Sequence, residues 1–262
     1  MVPTVYATRY VTPLREGGSL PAIVEASDLG LYVLKFRGAG QGPLALVAEL
    51  IAAEIGRALG LKIPDVVLME VDAALGRNEP DPEIRDLLKA SVGLNLGVDY
   101  LPGSAAFDPA AGDAVDAELA SSIVWFDAFI TNVDRTPRNS NLLCWHKSVY
   151  LIDHGAALYF HHNWQTMEEM ARSRFPAVRD HILLPWASRI EEADRRLRPR
   201  LGEALFARAI EQVPDSWLPP APGLSPADRR AGYLTFLARR LEAASSASSF
   251  VEEAVRARAQ LV

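Results

Sequence analysis

Two carboxylates and one carboxamide stand out in the polar region that follows an apolar stretch in the middle of the chain: Asp134, Asn139 and Asp153. Carboxylates that lie together at the edge of an apolar layer raise each other's pKa, so the arrangement is costly unless a cation neutralises it. Oxygen ligands, without a His or Cys pair at metal spacing nearby, suit Mg²⁺ better than Zn²⁺. The three residues therefore predict a magnesium site, provided that the fold brings them together.

The chain between Asn139 and Asp153 is expected to bring their side chains together. It contains two short apolar runs separated by a polar pair at 146–147, which is typical of a β-hairpin. With the turn at this pair, Leu142 pairs with Leu151. The open end of the hairpin then holds Asn139 and Asp153, and the preceding loop keeps the remaining carboxylate close to them.

Lys35 lies inside an apolar strand predicted over 30–36. The chain has four lysines and 23 arginines, so a lysine at this position departs from its general use of arginine. A compact ammonium on a flexible stem suits a pair of phosphates in a narrow cleft, where a guanidinium is too bulky. The alternative is a lysine at a sheet edge that points to solvent. The polar loop and hairpin farther along the chain favour the phosphate role.

A helix predicted over 44–59 carries two candidate partners for Lys35. Glu49 has small residues as its helical neighbours, which would let the helix approach the sheet closely. Glu54 is explained equally well by an exposed ion pair with Arg57. Glu49 is the predicted partner, and Glu54 stays open as the alternative.

A glycine pair followed by a serine, Gly17, Gly18 and Ser19, lies between the first two predicted strands, 5–12 and 21–26. Glycines at a strand connection let backbone amides approach an anion, so these three residues could cover phosphates. A plain turn explains the same residues equally well.

The rest of the chain indicates a mixed first half and a helical second half. Two more strands are expected at 66–71 and 90–96, on either side of a charged, irregular segment at 77–85 that prolines interrupt. Periodic apolar residues predict helices over 117–131, 164–173, 186–196, 201–212, 228–244 and 250–259.

These parts, taken in order, resemble the protein-kinase-like phosphotransferases. Asp134 is followed by Asn139 after four residues, and Asp153-His154-Gly155 stands where those enzymes have Asp-Phe-Gly. The Asn-Val-Asp-Arg run that begins at Asn132 is similar to the catalytic loop of the HipA-like kinases and, more distantly, of the phosphatidylinositol kinases.

The resemblance implies an α+β, two-lobed kinase fold that uses ATP and Mg²⁺. Residues 1–100 would form an N-terminal lobe with an antiparallel sheet and one main helix, and residues 101–262 a mostly helical lobe. The residues implied for ATP are Gly17, Gly18, Ser19, Lys35 and Glu49. Asp134 would accept or orient the proton of the attacking hydroxyl, with Lys35 as the second catalytic group, while Asn139 and Asp153 would hold magnesium.

A HipA-like kinase implies a Ser/Thr protein as phosphate acceptor, and often a helix-turn-helix antitoxin as partner. The chain is shorter than the toxin proper and is expected to lack its additional N-terminal subdomain, so a toxin role stays open. A small-molecule or lipid hydroxyl is an alternative acceptor. A nucleotide-binding pseudokinase that acts as a scaffold is a third reading, because His154 replaces the usual Phe.

Composition excludes several other classes of protein. A net charge of −6 argues against a general nucleic-acid or anionic-membrane binder. No apolar run approaches the roughly 20 residues of a membrane-spanning helix, and the N-terminus does not resemble a signal peptide. The single cysteine excludes an internal disulfide and fits a reducing compartment, so a cytoplasmic protein is expected.

Overall fold

The computed structural model describes residues 1–14, 20–77, 79–219, 224–246 and 249–261. Its first half is built on five strands that close into a barrel in the order β1-β2-β3-β5-β4. The strands are β1 (Thr4–Pro13), β2 (Ala22–Ala26), β3 (Leu31–Lys35), β4 (Val66–Val71) and β5 (Gly93–Asp99).

The antiparallel sheet predicted for this half is confirmed only in part, because the sheet closes into a barrel. Four of the five strand pairs are antiparallel, but β1 and β4 run parallel and close the barrel. The closing contact uses the first residues of β1: Thr4 pairs with Leu68 and Tyr6 with Glu70, whereas pairing with β2 begins only at Ala7. β1 thus pairs with β2 along one edge and with β4 along the other, and closure leaves no open edge there.

Helix α1 (Pro43–Ala58) packs between the barrel and the helical half. It begins at a proline, whose fixed φ suits the first turn and which has no N–H to leave unpaired. Gly60 follows its end with φ +86°, the left-handed conformation that commonly terminates helices. Ten of its residues are buried, so α1 lies in the core that also contains the helices of the second half.

A second helix, α2 (Pro82–Ala90), begins within the segment 77–85 that was expected to be irregular. Asp81 is the N-cap of this helix, and its side chain accepts a hydrogen bond from the backbone N–H of Glu83. Pro82 takes the first helical position. Ile84 and Leu88 lie one turn apart and pack into the apolar interior of the barrel. The prolines here begin a helix instead of interrupting one, and the following strand starts three residues later than predicted.

The second half is mainly helical, as the sequence indicates. Its helices are α3 (Ala117–Phe129), α4 (Met167–Arg172), α5 (Ile190–Leu197), α6 (Glu203–Glu211), α7 (Pro226–Ala243) and α8 (Phe250–Ala259). Ten consecutive residues of α3 are buried, which makes it the central helix of this half. In the part of the chain that the structure describes, none of the helices is long and apolar enough to cross a bilayer.

A small sheet carries the predicted hairpin, formed by β7 (Leu142–Trp145) and β8 (Ser148–Leu151) with the short β6 (Ala105–Ala106) beside it. The predicted register is confirmed: Leu142 pairs with Leu151. His146 and Lys147 both have positive φ, 46° and 60°, as a two-residue turn between right-twisted strands requires. The hairpin therefore presents its open end to the polar loop that precedes it.

Candidate active site

Three distant parts of the chain meet at the ammonium group of Lys35. It forms an ion pair with Glu49 of α1 and a second one with Asp153, whose Oδ1 lies 2.8 Å from Nζ. The side chains of Lys35 and Glu49 are 17% and 4% exposed, whereas that of Asp153 is 47% exposed. The structure therefore pairs Lys35 with Glu49, and Glu54 with Arg57.

The charges in this cluster stabilise one another. Burial alone would lower the pKa of Lys35, but the carboxylates of Asp153 and Glu49 outweigh burial and hold this pKa above its ordinary value. Burial would likewise raise the pKa of Glu49, yet Lys35 and His154 lower it to about 2. Both groups are therefore charged at neutral pH, and Lys35 offers a fixed positive charge to the cleft.

Glu49 also holds the segment that carries Asp153. Its second carboxylate oxygen accepts a hydrogen bond from the backbone N–H of His154, and the His154 Nδ1 lies 3.4 Å from the same oxygen. The imidazole is 2% exposed and packs edge-on against the ring of Phe126. His154 thus fills the aromatic position of the Asp-x-Gly motif with a ring that also contacts Glu49. This role was missed, although a histidine in place of phenylalanine was the available signal.

The loop before the hairpin is organised around Asp134. The Asn139 Nδ2 donates to Asp134 Oδ2 at 2.8 Å, and the Asn141 Nδ2 donates to the backbone carbonyl of Asp134 at 3.0 Å. The backbone N–H of Asp134 donates to the Asn132 side chain at 3.2 Å. Asn141 has φ +47°, a conformation that asparagine tolerates better than most residues. Sequence reasoning did not single out Asn141, since one more asparagine in a polar loop carries no signal.

A buried ion pair between Asp127 and Arg135 supports this loop. Arg135 Nε lies 2.5 Å from Asp127 Oδ2, and both side chains have no exposed surface. Asp127 also accepts from Asn132 at 2.9 Å and contacts His181 Nε2 at 2.9 Å. Burial would raise the pKa of Asp127, but Arg135 and His181 hold it far below its ordinary value. Arg135 reaches onward to the carbonyl oxygens of Asn141 and Ile152, and so ties the loop to both arms of the hairpin.

Arg240 of α7 fixes the end of the central helix just before this loop. Its guanidinium donates to the carbonyls of Ala128 and Phe129 in the last turn of α3, and to those of Ala171 and Ser173. Burial lowers its pKa to about 9. Neither Arg240 nor His181 could be found from local sequence, because each lies at least 40 residues from the loop that it supports.

The predicted site residues fall into two neighbouring groups. Lys35, Glu49 and Asp153 form one, and Asp134 with Asn139 forms the other. The hairpin links the groups, since the backbone N–H of Ile152, directly before Asp153, donates to Asn141 at 3.0 Å. Gly17, Gly18 and Ser19 lie outside the described residues.

The donor set around the hairpin's open end fits a magnesium ion that also takes ligands from a nucleotide. Asn139 uses its Nδ2 on Asp134, which leaves its side-chain oxygen for a cation. Asp153 is about half exposed, so its carboxylate can also reach a ligand. Mg²⁺ in proteins is commonly held by one or two such oxygens together with water and phosphate oxygens.

Replacing Glu49 by glutamine is expected to lower kcat/KM for the phosphoryl transfer that the resemblance implies by on the order of 10²-fold, because Lys35 and the segment after Asp153 both lose their anchor. Glu49 is a positioning residue here, so the fall should appear in kcat as well as in KM. The matched control is Glu54→Gln in the same helix, which removes only the ion pair with Arg57. Equal losses in the two variants would contradict the assignment.

Glu49 should also make the protein sensitive to acid. Its pKa of about 2 in the folded chain lies below the ordinary value of 4.5, so the unfolded chain binds this proton more tightly. The stabilisation is complete above about pH 4.5 and is lost as pH falls from there towards 2. Urea unfolding is measured at stepwise lower pH for the native protein and for Glu49→Gln. The difference between their free energies of unfolding should shrink through this window. A constant difference would exclude the carboxylate as its source.

Comparison with known proteins identifies the family of the chain. A family model described as HipA-like kinase matches residues 8–246. The crystal structure of a Helicobacter pylori proinflammatory kinase, CtkA, has a similar fold, with a TM-score of 0.56 and 14% sequence identity over 99% of each chain. No curated protein sequence matches the chain. Because the family match spans nearly the whole chain and includes both groups of site residues, the chain belongs to the HipA-like kinase family.

Proposed function

We propose that this protein transfers the γ-phosphate of ATP, with Mg²⁺, to a serine or threonine hydroxyl of another protein. The observation that carries the proposal is the double ion pair of Lys35, which joins a strand lysine, a helix glutamate and the aspartate of an Asp-x-Gly motif in one cleft. Phosphoryl transfer needs mainly positioning and neutralisation of charge, and this arrangement supplies both.

Lys35 would bind phosphate oxygens of the nucleotide. Its side chain is held from two sides by Glu49 and Asp153, so little conformational freedom remains to be lost when a phosphate arrives. Asn139 and Asp153 would hold the metal, which on binding supplies positive charge to the phosphoryl oxygens during transfer.

Asp134 would act on the acceptor. The Asn139 amide orients its carboxylate through Oδ2, which leaves Oδ1 to accept or orient the proton of an incoming hydroxyl. Membership of the HipA-like family supports a protein as the acceptor, and it is also the reason why a small helix-turn-helix protein is the proposed partner.

Transfer of label from γ-labelled ATP tests the proposal. The purified chain is incubated with ATP and Mg²⁺, and separately with a chelator, against three acceptor sets: itself, a protein extract, and a panel of small-molecule and lipid alcohols. We expect magnesium-dependent label on protein serine or threonine, identified after acid hydrolysis. Label on small molecules or lipids alone would overturn the acceptor class. A thermal shift with ATP and Mg²⁺ but no transfer to any acceptor would overturn the enzymatic function and leave a nucleotide-binding scaffold.

A further inference from the structure

A second group of polar side chains, which are buried or, for Trp164, partly buried, lies apart from the phosphotransfer site. It comprises His161, Trp164, Arg229 and Tyr233, called here the Arg229 cluster. The first two follow the Asp-x-Gly segment, and the last two lie in α7. The Arg229 Cζ is 5.5 Å from the centroid of the Trp164 ring, the Trp164 and Tyr233 rings are 5.4 Å apart, and His161 Nδ1 is 3.0 Å from the Tyr233 hydroxyl.

Four polar atoms of the cluster are buried without a hydrogen-bond partner in the part of the chain that the structure describes: His161 Nε2, Trp164 Nε1, and Nε and Nη1 of Arg229. Arg229 is only 4% exposed. Among the described residues, the other deeply buried arginines are satisfied, Arg135 by Asp127 and Arg240 by four carbonyl groups. A buried guanidinium without an acceptor is costly, so Arg229 is the exception that calls for a ligand.

The hydrogen-bonding character of the cluster points to the kind of ligand. Burial, with smaller effects of His162 and Arg229, lowers the pKa of His161 to about 3, so the imidazole is neutral. When the Tyr233 hydroxyl donates to Nδ1, the proton of His161 resides on Nε2. All four unpartnered atoms are then donors, and one of their side chains carries a full positive charge.

We propose that the Arg229 cluster is a binding site for an oxyanion, either a phosphate or a carboxylate group. The indole is seated closely against α7, since a Cβ on Gly232 would lie 2.4 Å from the Trp164 ring, so glycine is needed for this contact. Asn163 and Gln165, on either side of Trp164, are exposed, so the segment that carries the indole lies at the protein surface. The site shares no residue with the phosphotransfer machinery and extends beyond the proposed function.

The indole N–H of Trp164 provides a direct reporter. The chain has five tryptophans, so a ¹H–¹⁵N correlation spectrum contains five indole signals, and Trp164→Phe identifies the one that belongs to Trp164. Inorganic phosphate and sodium acetate are titrated in parallel at constant ionic strength, with sodium chloride as the reference. We expect a saturable shift of the Trp164 signal with phosphate or with acetate. The anion that saturates identifies the class of ligand.

Arg229→Gln should weaken this binding at least about tenfold, the loss expected from removing a charge-assisted hydrogen bond. Arg230→Gln is the matched control, because the neighbouring Arg230 already contacts Asp215 at 2.5 Å and the Val213 carbonyl at 2.6 Å. Lys35→Met should leave the Trp164 response intact, which separates this site from phosphate binding in the nucleotide cleft.

Three results would overturn the proposal: no saturable shift with either anion, an equal shift with chloride, or unchanged binding in Arg229→Gln. If Arg229→Gln does not fold, Arg229→Lys keeps the charge but removes the two unpartnered guanidinium donors, and it should weaken binding in the same direction.

Discussion

Changing Asp134 to asparagine is expected to lower the rate of phosphoryl transfer by about 10²- to 10⁴-fold, the usual contribution of a positioned acid or base. The substitution keeps the size of the side chain and its contacts with the loop, so the backbone hydrogen bonds to Asn132 and Asn141 remain. Only the capacity to accept a proton is lost. ATP should therefore bind with an essentially unchanged Kd.

Turnover with labelled ATP, together with calorimetric titration of the nucleotide, measures both parts of this prediction. Asp86→Asn is a suitable control, because Asp86 is an exposed aspartate of α2 that pairs with Lys89 on the surface. A variant at Asp134 that turns over as fast as the native enzyme would remove this residue from the mechanism. A variant that no longer binds ATP would instead assign Asp134 to nucleotide or metal binding.

Replacing Asp127 by asparagine should give the largest loss of stability, about 3–5 kcal/mol in the free energy of unfolding, because it leaves the buried guanidinium of Arg135 without a counter-charge. The loss should extend to activity. Arg135 connects the catalytic loop to Asn141 and Ile152, so a displaced guanidinium also moves Asp134 and Asp153 relative to each other.

Urea unfolding compares this variant with Asp180→Asn, in which the aspartate belongs to an exposed pair with Arg179 at 3.7 Å. Such surface pairs contribute at most about 1 kcal/mol. If the two variants are equally stable, the buried pair does not support the loop. The pattern across variants is also diagnostic: Asp134→Asn should lose activity at full stability, whereas Asp127→Asn should lose both.

A large part of the candidate site could be predicted from local sequence. The loop, the hairpin and the Asp-x-Gly motif span little more than 20 residues, so their relative placement depends mainly on strand register and turn geometry. That is why the pairing of Leu142 with Leu151 could be predicted. Lys35 was recognisable because a lysine is rare in this chain and stands within an apolar strand.

Which glutamate pairs with Lys35 could be decided only from the way in which helix α1 packs in the tertiary structure. Glu49 and Glu54 lie on one helix, and each had a reasonable explanation in sequence. Packing decides between them: the Glu49 side chain is 4% exposed beside Lys35, while that of Glu54 remains partly exposed beside Arg57.

By itself, the sequence determined the helical second half, most strand positions, the hairpin register and the residue types at the catalytic loop, because these follow from periodicity and from contacts between near neighbours. Only the tertiary structure decided that β1 and β4 close a barrel, and that Arg135, His181 and Arg240 brace the loop. It also gathered the four members of the Arg229 cluster. These features join residues far apart in the chain, and such contacts depend on which surfaces meet once the elements have packed, which no local pattern encodes.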